Sequence, residues 1–170
     1  MRFRGAAYRA HNPRWSWSPL SGEGARINGG RFNPKGVAAL YLSLDWGTAV
    51  IEANQGFSFR FPPLTIVAYD VDCSNIADLS RAKGLKGHRV RRAQLGCAWK
   101  LLAETGKEVP SWTLAERLRT KGHAGIIVPS FAPGAGATAR NWCWGDTLPY
   151  KVTIFDPQRR LPRDDSSWQP

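Results

Sequence analysis

The segment from Ala39 to Glu52 constrains the fold most, because its hydrophobic period changes from two residues to about 3.6 within a few positions. Residues 39–44 alternate, with leucines at 40, 42 and 44 on one side, which predicts a strand with a leucine-rich core face. Tyr41 is then expected to point away from that face. Asp45 offers an N-cap for a helix that ends near Gly56. This helix is expected to bury a stripe formed by Trp46, Ala49, Val50 and Ala53.

Further helices and strands are predicted downstream. One helix runs from about Arg89 to Ala103. Another begins at the capping-box pattern Thr113-x-x-Glu116 and stops at Gly122, after a basic last turn. Additional strands are expected at residues 64–71, 125–128 and 151–155.

The order of these elements indicates the fold class. Strands come early and late with helices between them, which predicts an α+β domain with a mostly antiparallel or mixed sheet and flanking helices. The glycine fingerprint of a Rossmann fold and the Walker A pattern are both missing from the sequence. Neither of these nucleotide-binding folds is therefore expected.

The domain organisation is expected to be simple. The sequence has 170 residues, which suits one core, and it contains no repeat and no internal linker. Residues 1–157 are predicted to form the domain, whereas the charged, Pro-containing residues 158–170 are predicted to be a loosely ordered tail. No apolar run of about 18 residues and no secretory signal are found, so the protein is expected to be soluble and cytoplasmic, without a membrane partner.

The cysteines and histidines do not form a known metal or disulfide pattern. The three cysteines are isolated, and the three histidines are scattered without a His-Glu-x-x-His motif. Reduced buried thiols are expected, and no metal site is predicted.

The net charge of +11 predicts an anionic partner. Nucleic acid, nucleotide phosphates and an acidic protein surface would all satisfy it, and the charge alone does not choose among them. The densest basic stretch, Arg81 to Lys100, contains no acidic residue. It is interpreted as a solvated helix face or as an interface.

The segment from Ser21 to Gly36 could approach a ligand closely. It holds five glycines around two arginines and a lysine. Glycines allow close backbone approach, and an arginine such as Arg31 can bind phosphate through two parallel hydrogen bonds. A flexible surface loop is the alternative interpretation.

Two further residues could carry chemistry. Glu52 lies beside the predicted buried stripe and needs a partner, for which Arg9, Arg31 or a bound cation would serve. Ser130 comes just after a predicted apolar strand, but no His or Asp has the spacing of a hydrolase triad. A structural ion pair for Glu52 and a turn role for Ser130 are the alternatives.

Taken together, these segments resemble the RES-domain family, which is named for an Arg, a Glu and a Ser. The resemblance extends from about Tyr8 to Asp156. It rests on Tyr8-Arg9, Gly29-Gly30-Arg31-Phe32-Asn33 with Gly36, Leu40-Tyr41-Leu42, Ala49-x-x-Glu52, and Gly125-Ile126-Ile127-Val128-Pro129-Ser130 with Asn141.

The resemblance implies a fold and an activity. RES proteins are toxins of bacterial toxin–antitoxin pairs with a fold similar to ADP-ribosyltransferases, and they consume NAD⁺ as substrate. Their antitoxins are typically Xre-like helix-turn-helix DNA-binding proteins, so direct sequence-specific DNA binding by this chain is not expected. The implied catalytic residues are Arg31, Glu52 and Ser130, and the implied NAD-binding residues are Arg9, Arg31, Tyr41 and Asn141, of which Asn141 is the weaker match.

The family chemistry implies a role for each site residue. Glu52 would stabilise the oxocarbenium character that develops on ribose when the bond to nicotinamide breaks. Arg31, with Arg9, would hold the pyrophosphate. Tyr41 would stack on nicotinamide or ribose, and Ser130 would donate a hydrogen bond near the nicotinamide ribose.

The sequence departs from the family beyond Ser130. Phe131-Ala132 stands where a small residue and an arginine are expected, and a Gly/Ala-rich insert at 133–139 precedes Arg140-Asn141. The acceptor of ADP-ribose is therefore open between water, phosphate and a target protein. The competing function is a basic nucleic-acid-binding or RNA-cleaving toxin. In a third interpretation, the basic stretch or the tail docks an acidic antitoxin surface.

Overall fold

A mixed sheet runs through the protein, of which the computed structural model describes residues 1–54, 63–131 and, for the backbone alone, 150–155. The strands in these ranges follow the spatial order β3-β1-β2-β6-β5-β4. Neighbouring strands are antiparallel except β4 and β5, which are parallel. They comprise β1 (Phe3–His11), β2 (Ala39–Ser43), β3 (Thr65–Cys73), β4 (Ile76–Asp78), β5 (Gly125–Pro129) and β6 (Tyr150–Phe155).

Short helices flank this sheet, so the predicted α+β class with a mostly antiparallel or mixed sheet is confirmed. A 3₁₀ turn at Pro13–Trp15 follows β1. The described α-helices are α1 (Glu23–Asn28), α2 (Trp46–Ala53), α3 (Ala82–Gly87), α4 (Arg92–Leu95), α5 (Trp99–Glu104) and α6 (Pro110–Thr120). None of the helices in these ranges is both long and apolar enough to cross a bilayer.

The sheet separates two apolar clusters. Leu40 and Leu42 belong to one cluster, with Leu44 packed against it, while Tyr41 packs against the other. Successive side chains of a strand point to opposite faces. The predicted orientation of Tyr41, away from the leucine face, is therefore confirmed.

The second helix begins as predicted but buries a different side. The Asp45 carboxylate accepts a hydrogen bond of 2.7 Å from the Thr48 amide, which confirms the N-cap. Thr48 and Ala49 are buried, whereas Trp46 is 57% exposed and Ala53 is exposed. The predicted stripe is wrong at these two positions, because the helix is only about two turns long and packs against β1 with Thr48 and Ala49 as its buried residues. Gly56 lies outside the described residues.

The helix predicted over 89–103 is wrong as a single element. Arg89 has a positive φ of 53° and precedes the helices, and the segment is divided into α4 and α5 at Gly96. A preceding helix, α3, was not predicted.

The last helix begins earlier than its capping-box pattern predicts. Pro110 occupies its first turn, where a missing N–H costs nothing. Thr113 lies inside the helix, and its hydroxyl donates to the Glu108 carboxylate at 2.9 Å. The predicted stop is confirmed, because Lys121 is the C-cap and Gly122 has a positive φ of 83°.

Candidate active site

A cavity of about 770 Å³ opens between the sheet and the helices α1, α2 and α5. Its size lies within the usual range of small-molecule sites. Arg9, Arg31, Tyr41 and Glu52 line it, so four residues far apart in the sequence meet at one cavity. Ser130 lies between two lining residues, Pro129 and Phe131. Asn141 lies outside the described residues.

Glu52 and Ser130 form a direct hydrogen bond across the site. The Ser130 hydroxyl donates to Oε1 of Glu52, joining the last turn of α2 to the residue that follows β5. Both residues are half-buried. The sequence predicted an arginine or a cation as the partner of Glu52. Among the described residues, Ser130 donates a hydrogen bond to Glu52, and Arg31 lies within electrostatic reach.

Arg31 is held by backbone carbonyls from the junction of α4 and α5. Its Nη1 donates to the carbonyl of Cys97 at 2.9 Å and to that of Leu95 at 3.4 Å. The guanidinium carbon lies 4.8 Å from the centre of the Phe131 ring, a distance typical of a cation–π contact.

The charge of Arg31 is maintained in this half-buried position. Burial lowers the pKa of Arg31, while the neighbouring Cys97, Glu52 and Tyr41 act in the opposite direction. An arginine stays protonated under such conditions. The cavity wall therefore carries a fixed cation within the electrostatic reach of Glu52.

The backbone of Arg31 is fixed from the first turn of α6. Ser111, which is fully buried, donates from its hydroxyl to the Arg31 carbonyl at 2.5 Å. The Trp112 indole donates to the Gly30 carbonyl at 2.8 Å. The Cys97 thiol donates in turn to the Ser111 hydroxyl at 3.3 Å. Arg31 is thus oriented through both its main chain and its side chain.

Tyr41 organises the glycine-rich loop from the strand side. Its hydroxyl accepts from the Phe32 amide at 2.9 Å and donates to Oδ1 of Asn33 at 2.6 Å. Asn33 is only 1% exposed, and its amide donates to the carbonyls of Ala25 and Val37, each at 2.8 Å. Burial raises the pKa of Tyr41 well above its usual value, so the phenol keeps its proton.

Arg9 braces the chain between β1 and α1. Its Nη1 donates to the carbonyls of Ser21 at 2.9 Å and Pro19 at 3.2 Å. The Tyr69 hydroxyl donates to the same Pro19 carbonyl at 2.7 Å. Arg9 therefore has a structural role at the cavity wall, and its predicted role in binding pyrophosphate stays a prediction.

Sequence reasoning missed several residues of the site. Asn33 stands out in the sequence only as part of the motif at residues 29–33, and Ser111 gives no signal, because a buried polar contact over 80 positions leaves no local pattern. Trp99 and Lys100 of α5 also line the cavity. Their only signal was the basic stretch that ends at Lys100.

The described ranges contain no group of three His, Cys, Asp or Glu side chains that could hold a metal ion. No histidine from this part of the chain lines the cavity. The polar groups that converge on it are thus a carboxylate, a phenol, serine and asparagine groups, and cations.

Comparison with known proteins identifies the family. The structure is similar to the crystal structure of the M. tuberculosis MbcT–MbcA toxin–antitoxin complex, with a TM-score of 0.58 and 16% identity over 96% of this chain and 80% of the other. At this identity the likeness concerns the fold. No curated protein matches the sequence significantly. The family model described as RES domain matches residues 6–164, and the chain therefore belongs to the RES domain family.

Proposed function

We propose that this protein cleaves the bond between nicotinamide and ribose in NAD⁺ and acts as the toxin of a toxin–antitoxin pair. The observation that carries the proposal is the Glu52 carboxylate, held by the Ser130 hydroxyl beside a cavity that also presents the Arg31 cation. Membership of the RES domain family supports the same chemistry.

The carboxylate fits the charge that the reaction develops. When the C1′–N bond breaks, its electron pair leaves with the nitrogen, and nicotinamide departs as a neutral molecule. The ribose gains oxocarbenium character, which a fixed carboxylate stabilises. The acceptor then forms a bond to C1′ and releases its proton to Glu52 or to solvent. The leaving group is already cationic, so the step does not need a strong general acid.

Ser130 positions the carboxylate in this proposal. A hydrogen bond to an ionised group is stronger than one between neutral groups, and it restricts the rotation of the Glu52 side chain. The resemblance implied that Ser130 forms a hydrogen bond near the nicotinamide ribose. The positioning role proposed here instead follows from the hydrogen bond between Ser130 and Glu52.

Arg31 binds the negative part of the substrate. A guanidinium carries five N–H donors in a planar fork that suits phosphate. The bonds from Nη1 to the carbonyls of Cys97 and Leu95, together with the Phe131 ring, fix the plane of this fork at the wall. Tyr41 contributes its ring to the wall while its hydroxyl holds the loop.

The partner that we propose is a cognate antitoxin, an Xre-like helix-turn-helix DNA-binding protein. The similar crystal structure is that of a toxin bound to its antitoxin, which supports such an assembly. The net charge of +11 suits an acidic surface on that partner.

The test measures nicotinamide release from NAD⁺ by purified protein that is free of antitoxin. Wild-type protein is expected to release nicotinamide, and Glu52→Gln is expected to lose the activity by orders of magnitude while keeping its melting temperature. Glu104→Gln, at an exposed position of α5, is the matched control. Absence of release by the wild type contradicts the function, and full activity of Glu52→Gln contradicts the site.

The acceptor requires a separate measurement. NAD⁺ labelled in its adenylate half is incubated with the protein and a cell lysate. Label that stays in small molecules indicates water or phosphate as acceptor, and label that moves to a protein band indicates ADP-ribosyl transfer.

A further inference from the structure

Helix α5 contributes an aromatic ring and a cation to the cavity wall. Trp99 is half-buried, Lys100 is exposed, and both line the cavity. The bond-breaking step proposed above uses neither residue. An indole ring and an ammonium group that line one cavity are a combination that suits a nucleotide, since a ring can stack on a base and a cation can pair with phosphate.

A single carbonyl connects this part of the wall to Arg31. The Cys97 carbonyl accepts a hydrogen bond from the Trp99 amide at 2.8 Å and from Nη1 of Arg31 at 2.9 Å. The first turn of α5 and the Arg31 guanidinium are therefore fixed to the same point. Trp99, Lys100 and Arg31 all line the cavity.

The charges of the lining residues are expected to orient a dinucleotide. In NAD⁺ the nicotinamide ring is cationic and the diphosphate is anionic. The Glu52 carboxylate attracts the cationic ring, whereas Arg31 and Lys100 repel it and attract the diphosphate. Lys100 makes no ion pair with any other residue in the described ranges, which leaves its charge for this purpose.

Arg9, a third cation that the described residues place at the wall, is less suited to the same task. Nη1 of Arg9 is bonded to the carbonyls of Ser21 and Pro19, where it braces the chain before α1. The adenylate half of NAD⁺ is therefore better accommodated beside α5 than beside Arg9.

We propose that Trp99 and Lys100 form the adenylate subsite of this cavity, with the Trp99 ring stacked on the purine and the Lys100 ammonium paired with the diphosphate. This inference rests on the proposed NAD⁺ chemistry, and it assigns the specificity for the nucleotide half to α5.

The test compares two ligands that share the ribose phosphate but differ in the adenylate. The dissociation constants of ADP-ribose and nicotinamide mononucleotide are measured by calorimetry. Trp99→Ala is expected to weaken ADP-ribose binding by about 5- to 150-fold, the usual contribution of base stacking, and to change the binding of nicotinamide mononucleotide by less than about twofold. Trp15→Ala, at an exposed position that does not line the cavity, is the control.

The role of Lys100 is tested by measuring the dissociation constant of ADP-ribose at several salt concentrations. Lys100→Ala is expected to weaken ADP-ribose binding and to reduce its sensitivity to salt, because one exposed charge pair is removed. Lys107→Ala, an exposed lysine beyond the end of α5, is expected to change neither.

Several outcomes overturn the subsite. They are no ADP-ribose binding by the wild type, unchanged ADP-ribose binding by Trp99→Ala, or equal losses for both ligands. If Trp99→Ala does not fold, Trp99→Phe and Trp99→Leu are compared, and equal ADP-ribose affinity of the two overturns it. A wild type that releases no nicotinamide refutes the proposed function instead, so the two failures are distinguished.

Discussion

The hydroxyl of Ser130 donates a hydrogen bond to Oε1 of Glu52, across 78 positions of sequence. The bond connects the segment after β5 to the last turn of α2, and both residues adjoin the same cavity. A carboxylate on a helix of eight residues would otherwise rotate about its side-chain bonds. The bond therefore sets the orientation of the proposed catalytic group.

Removal of the Ser130 hydroxyl is expected to lower kcat more than it raises KM. Ser130→Ala removes a hydrogen bond to a charged group, which corresponds to about 1.5–3 kcal/mol, or a loss of about 10- to 150-fold in kcat. Ser130→Thr keeps a hydroxyl and should restore part of the rate. Steady-state kinetics of nicotinamide release measure both. Equal rates for the two variants would count against a positioning role.

The boundary between β2 and α2 could be predicted because its signals are local. The alternation of Leu40, Tyr41 and Leu42 depends only on strand geometry, and the Asp45 cap lies next to the amide that it binds. The sequence also presented Glu52, Arg31 and Ser130 as candidates, each with a structural alternative, and the family resemblance implied their catalytic roles. Glu52 and Arg31 line the same cavity, and Ser130 lies between two lining residues.

The break between α4 and α5 could not be predicted, because its cause lies far away in sequence. In a continuous helix the carbonyls of Leu95 and Cys97 would accept from amides four residues later. Here both accept from the Arg31 side chain, 64 and 66 positions earlier. Helix propensity contains no information about such a partner.

Gly30 is expected to tolerate no side chain. A Cβ at this position would lie 2.6 Å from the Tyr41 hydroxyl and 2.7 Å from Oδ1 of Asn33. The Tyr41 hydroxyl donates a hydrogen bond to this Asn33 oxygen, so neither atom can move away without losing that hydrogen bond. Gly30→Ala is expected to destabilise the fold by about 1–3 kcal/mol.

Urea unfolding compares the change in stability caused by Gly30→Ala with the change caused by the same substitution at a control glycine. Gly87, the last residue of α3, has nothing within 4 Å of an added Cβ. Gly87→Ala is therefore expected to be neutral or to stabilise by up to about 1 kcal/mol. The same unfolding midpoint for both variants would refute the steric explanation.

Ser111 is expected to matter for stability and for the site together. Ser111 is fully buried, and Ser111→Ala removes the hydroxyl that donates to the Arg31 carbonyl, at a cost of about 1–3 kcal/mol. Thr113→Ala removes an exposed hydroxyl from the same helix and should cost less than about 0.5 kcal/mol. Thermal unfolding compares the two. A Ser111→Ala variant that is stable but has a raised KM for NAD⁺ would still support the role of Ser111 in orienting Arg31. A wild-type melting temperature together with a wild-type KM would exclude that role.

His88 is expected to make the fold less stable in acid. Partial burial lowers the pKa of His88 from 6.5, and the charges of His123, the Met1 amine, Lys121 and Arg117 lower it further. The ring centres of His88 and His123 lie 5.0 Å apart. Since the unfolded chain binds the proton more readily, the contribution of His88 to stability is present above pH 6.5 and is lost as the pH falls through the folded-state pKa.

Two measurements check the behaviour of His88. NMR titration of the three histidines should place His88 below 6.5, and His123→Gln should move it upward by removing a positive neighbour. The melting temperature of the wild type should fall between about pH 7.5 and about pH 5, and His88→Gln should reduce that fall. A group whose pKa is the same in the folded and unfolded states contributes no pH dependence to folding. If the pKa of His88 is 6.5 or above, the acid sensitivity therefore has another origin. The same conclusion follows if His88→Gln leaves the pH dependence of the melting temperature unchanged.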